Sequence, residues 1–72
     1  MATQKIRSDI TGTVWKIVAQ PGAALAADDT IMILESMKME IPVLAEVAGT
    51  VSKVSVSVGD VIQAGDLIAV IS

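Results

Sequence analysis

The chain has 72 residues and a formal charge of −3, from five Lys/Arg and eight Asp/Glu. It holds no His and no Cys, which excludes Ser-His-Asp triads, thiol catalysis, His- or Cys-ligated metals and disulfides. There is room for one domain, expected over residues 1–72. Trp15 is its one aromatic, and ten Val and nine Ile against four Leu bias the chain towards strands.

The basic residues Lys5, Arg7, Lys16, Lys38 and Lys53 are scattered, so no electrostatic footprint for nucleic acid is expected. Apolar runs such as Ala23–Ala27 fall far short of a membrane span. The first residues, Met1 to Lys5, show no apolar signal core. The expectation is a cytoplasmic protein with neither nucleic acid nor membrane as partner.

Along the chain, Ile6, Ser8 and Ile10 alternate with Lys5, Arg7 and Asp9, the pattern of a half-buried strand. Turn signals follow at Thr11-Gly12, Pro21-Gly22 and Asp28-Asp29. Between the last two, Ala23–Asp29 is too short for a helix. A strand over Thr30–Glu35 leads into Glu35-Ser36-Met37-Lys38-Met39-Glu40, and another over Glu40–Val47 leads out. After Ala48-Gly49, the alternation of Val54, Val56 and Val58 with Ser55 and Ser57 predicts a further strand. Turns at Gly59-Asp60 and Gly65-Asp66 complete the pattern. Strands of four to seven residues with this density of turns predict an all-β sandwich or flattened barrel.

The chain also repeats itself. Residues 12–34 align with residues 49–71 without a gap, at an offset of 37, with Gly12/Gly49, Thr13/Thr50, Val14/Val51, Lys16/Lys53, Gly22/Gly59, Ala27/Ala64, Asp29/Asp66 and Ile31/Ile68 identical. Two units too small to bury their own faces must pack on each other, as a quasi-twofold pair of small antiparallel sheets. Val14 and Val51 have the opposite parity to the apolar residues that follow them, which predicts a bulge in each copy. Asp28 falls on Gly65, so if Gly65 takes a positive φ, Asp28 must do the same.

The repeat leaves residues 35–40 unexplained. Symmetry and strand pattern place them at a hairpin tip, where Gly, Asn or Asp would be usual; here two Met flank one Lys. Composition and spacing alone leave Lys38 as a solvated surface lysine and Met37 and Met39 as strand residues packing inward.

Ser36-Met37-Lys38-Met39, at a hairpin midway between two halves that each carry Gly-x-Val and a downstream Gly, resembles the biotinyl (biotin carboxyl carrier) domain family. The resemblance runs from about Ile6 to Ile71 and includes the second-copy Gly-Asp-x-x-x-x-Gly-Asp; Ala23 and Asp28 depart from it. Related lipoyl domains usually carry Asp-Lys-Ala at the tip. With no insertion between residues 12 and 34, the chain is similar to the thumbless carriers of acyl-CoA and pyruvate carboxylases and less so to the thumbed acetyl-CoA carboxylase carrier.

The resemblance implies biotin on Lys38, joined as an amide by a separate biotin protein ligase through biotinyl adenylate. It implies Met37 and Met39 as flanking recognition residues, and Glu35, Ser36 and Glu40 as further candidates for ligase contact. Biotin carboxylase and carboxyltransferase subunits or domains are the implied partners, and the chain itself is implied to be a non-catalytic carrier. With no His in the chain to activate the amine, its activation falls to the ligase. A lipoyl-type acyl carrier and an unmodified β interaction module are the alternative readings.

Overall fold

The computed structural model describes residues 3–72; Met1 and Ala2, at the start of the expected domain and of the segment read for a signal, lie outside the described residues. Eight strands follow in order: β1 (Gln4–Arg7), β2 (Gly12–Ile17), β3 (Ala24–Leu25), β4 (Thr30–Ser36), β5 (Met39–Leu44), β6 (Gly49–Val54), β7 (Val61–Ile62) and β8 (Leu67–Ile71). They form two antiparallel four-stranded sheets, ordered β1-β8-β6-β3 and β5-β4-β2-β7. The fold is all-β, with two layers and one core between them.

β2, β3 and β4 begin at Gly12, Ala24 and Thr30; β6, β7 and β8 begin 37 residues later, at Gly49, Val61 and Leu67. Hydrogen bonds repeat at the same offset. Val14 N–H donates to Asp60 O at 2.9 Å and Val51 N–H to Ala23 O at 2.9 Å. Gly59 N–H reaches Val14 O at 2.8 Å and Gly22 N–H reaches Val51 O at 2.7 Å. Each half therefore lends β3 or β7 to the other half's sheet, so neither sheet is complete without both.

Both predicted bulges are present: the register shifts between Val14 and Lys16 in β2, and between Val51 and Lys53 in β6. The extra residue lets Val14 and Val51 face inward, each 1% exposed, while the strand beyond reverses its parity. A second shift, between Thr30 and Met32, lets Ile31 and Met32 be buried consecutively; Ile68 and Ala69 do the same in the other half. The core is then Ile31, Met32 and Leu34 against Ile68, Ala69 and Ile71, closed by Val14, Val51, Leu25 and Ile62. A large Met in one copy stands where the other has a small Ala, so volume is shared between the halves and not duplicated.

Several strand bounds are corrected, with the strand expected over Glu40–Val47 ending at Leu44 and the one read through Ile10 ending at Arg7. The strand read through Val58 ends at Val54: Ser55 N–H still bonds Ile68 O at 2.9 Å, but the chain then enters the turn in which Asp60 Oδ2 accepts from Ser57 N–H at 2.9 Å. Val56 is partly buried and Val58 is exposed, so alternation there reflects a turn folding over the core edge. β3 and β7 are two residues long, shorter than the predicted range, because tight turns bound them on both sides.

Candidate functional site

β4 and β5 form one hairpin, with Glu35 opposite Glu40 and Ser36 opposite Met39. Met37 and Lys38 are the whole loop. Their φ angles are +51° and +67°, the left-handed pair that a two-residue hairpin turn demands when its twist matches the strands. Asn-Gly is the usual solution; two long side chains here accept a conformation that disfavours them. Strained backbone of this kind persists only where the surroundings impose it, and here the paired strands on both sides do so.

The turn is fully solvated. Lys38 is exposed, and Met37 and Met39 are 93% and 64% exposed. Inward packing of the two methionines is thus overturned: a two-residue turn has no interior for Met37, and Met39 lies at the end of the ladder beyond the core. Glu35 and Glu40 are exposed on directly opposed positions, and Ser36 is half-buried. All six residues of the segment come together at one end of the sheet.

Below the tip, a close approach holds the hairpin in place. A Cβ built on Gly12 would lie 2.7 Å from the Glu35 carbonyl oxygen and 3.5 Å from Ser36 Cβ. β2 therefore runs against β4 at the two residues before the turn, and only glycine fits. A Cβ built on the equivalent Gly49 would lie 2.6 Å from Ile71 Cγ2 and 2.8 Å from the Ser72 carbonyl oxygen. Expected as turn residues, Gly12 and Gly49 instead open β2 and β6, and their coincidence at the repeat offset is the sequence signal for this close approach.

A groove between the edges of β1 and β5, lined in part by Ile6, Ile10, Leu34 and Val43, does not include the turn residues. Among the described residues, no three His, Cys, Asp or Glu side chains gather as metal ligands, and no helix is long and apolar enough to cross a membrane.

A family model described as "Biotin-requiring enzyme" matches residues 2–71. The chain is 62% identical over 69 residues to a biotinylated protein TB7.3 homolog of Mycobacterium leprae, covering 96% of this chain and 97% of that one. Among solved structures, the urea carboxylase of Kluyveromyces lactis superposes on the whole chain with a TM-score of 0.94 and 40% identity, this chain spanning 6% of that protein. The lipoyl domain of the Azotobacter vinelandii 2-oxoglutarate dehydrogenase complex matches at a TM-score of 0.80 and 27% identity, over 94% of both chains. With a Ser-Met-Lys-Met turn on this scaffold and a family match along nearly its full length, the chain belongs to the biotin/lipoyl attachment family described as biotin-requiring enzymes.

Proposed function

We propose that this chain is a biotin carboxyl carrier, with Lys38 as its attachment residue. The observation that carries the reading is the exposed Lys38 amine on a two-residue turn between the two halves, flanked by Met37 and Met39. In the modification step, the deprotonated Nζ attacks the carbonyl carbon of biotinyl adenylate made from biotin and ATP. An amide C–N bond forms, the acyl–phosphate bond breaks, AMP leaves and the amine proton passes to solvent. In this reading the ligase supplies the base. What the domain supplies is place: paired strands on both sides hold the lysine at a fixed point, and a one-residue shift would turn its side chain the other way.

Biotin on a lysine stem gives a tether on the order of 10–15 Å. A biotin carboxylase loads carboxylate onto the ureido nitrogen with ATP and bicarbonate, and a carboxyltransferase passes it to an acceptor. Tethering raises the local concentration of the cargo into the millimolar range for short linkers. This chain performs neither transfer; it carries the cargo between active sites on partner subunits or domains. Intact mass after coexpression with a biotin ligase tests the reading: a biotin-sized gain, absent in Lys38→Arg, supports it. A lipoyl-sized gain or no gain would replace it with one of the alternatives.

A further inference from the structure

The internal symmetry provides a control for surface residues. Positions 37 apart have matching backbone settings, so a difference in their exposed side chains is not required by the backbone. Trp15, Val18 and Val61 are 47%, 50% and 73% exposed; their counterparts, Ser52, Ser55 and Ala24, are exposed too but polar or small. One backbone bond recurs there: Val18 N–H bonds Ile31 O and Ser55 N–H bonds Ile68 O, each at 2.9 Å, although Ala19 N–H also reaches Ile31 O. Val58, 62% exposed, precedes Gly59 and Asp60, which both bond Val14; its counterpart Pro21 is exposed as well, so the contrast between the sheets rests on Trp15, Val18 and Val61. The apolar residues thus collect along β2 and β7, in the sheet that carries the lysine hairpin. The other sheet, built the same way, has none of them.

We propose that Trp15, Val58 and Val61 form a docking surface for the enzyme that acylates Lys38, the biotin ligase; this rests on reading Lys38 as the attachment residue. Together these faces amount to a few hundred Å², the size of patch that in a monomer is often functional. That is less than the about 800 Å² per partner of a standard interface, so the patch makes up one part of the contact around the turn. Reach selects the ligase over the carboxylases. Thr13 pairs with both Val61 and Glu35, so the patch lies about 15 Å from the turn by strand spacing and rise. A standard footprint is a disc of roughly 16 Å radius. An enzyme acting on Nζ, about 6 Å from its own Cα, has to sit around the turn, and the patch then falls within reach at the rim of its footprint. An enzyme acting on the ureido ring works at the far end of the tether and can leave the domain body untouched.

The test uses substitutions that the chain itself tolerates at equivalent positions. Trp15→Ser/Val61→Ala gives the lysine-bearing sheet the surface of the other sheet; Ala24→Val/Ser52→Trp does the reverse as a control. With purified biotin ligase, biotin and ATP, the first variant is expected to lose at least tenfold in kcat/KM, mainly through KM, with the urea midpoint held. The control variant is expected to keep the wild-type rate. Equal labelling of wild type and the first variant overturns the docking surface, as does an equal loss in the control. Failure of the wild type to be labelled overturns the attachment reading itself. If Trp15→Ser lowers the midpoint, Val61→Ser alone must still raise KM. Should labelling be unchanged while a biotin carboxylase charges the biotinylated variant more slowly, the ligase assignment is overturned in favour of the carboxylase.

Discussion

At Asp28 the chain takes φ +73° where its counterpart Gly65 takes φ +94°. Both N–H groups make the same bond, Asp28 to Ala45 O and Gly65 to Ser8 O, each at 2.7 Å. Asp28→Gly relieves the left-handed strain but frees the unfolded chain, so stability is expected to hold or rise by up to about 1 kcal/mol. A lower urea midpoint would contradict the equivalence of the two turns. Ala23 is the complementary case. Asp60 accepts the Ser57 N–H through Oδ2, and Asp29 and Asp66 do likewise for Ala26 and Gln63; Ala23 cannot do so for Gln20. Ala23→Asp is expected to add about 0.5–1.5 kcal/mol, seen as a higher melting midpoint. At the tip, Met37→Asn should also stabilise, by roughly 1 kcal/mol, because Asn accepts φ +51° more readily. If Met37 is a recognition residue, the same variant is labelled more slowly by ligase, so stability and labelling move in opposite directions.

The β4–β5 hairpin positions its turn through β2. Since a side chain on Gly12 would run into the Glu35 carbonyl, Gly12→Ala must displace either β2 or the last residues before Lys38. A loss of about 1–3 kcal/mol is expected, with amide shift changes concentrated in residues 34–40 and slower labelling of Lys38. Changes confined to β2 would show that the hairpin is held from β5 alone. Exchange of Met37 and Lys38 leaves the strands paired but moves the amine to the other position of the turn; loss of labelling with an unaltered melting midpoint is the expected outcome.

For the molecule as a whole, each sheet takes two strands from each half: β1 and β3 with β8 and β6, β2 and β4 with β5 and β7. Peptides 1–37 and 38–72 are therefore each expected to lack amide shift dispersion, since neither can complete a sheet or bury Ile31, Leu34, Ile68 and Ile71. Independent folding of either would contradict the exchanged arrangement. Much of this was legible beforehand because it is local or repeated. The offset of 37, the parity break after Val14 and Val51, the exceptional turn at Met37-Lys38 and the glycine-like setting of Asp28 are all one-dimensional patterns with a single backbone solution. Tertiary packing decided what no local pattern encodes. It ended β6 at Val54, buried Ile31 and Met32 side by side through a bulge in the pairing to β5, and turned Met37 and Met39 out to solvent. It also brought Gly12 against Glu35 and set Val61 across from Thr13, two residues from Trp15, because distances between strands follow from which half pairs with which. Periodicity records the face of a residue along its own strand; only the assembled sheets determine what lies across from it.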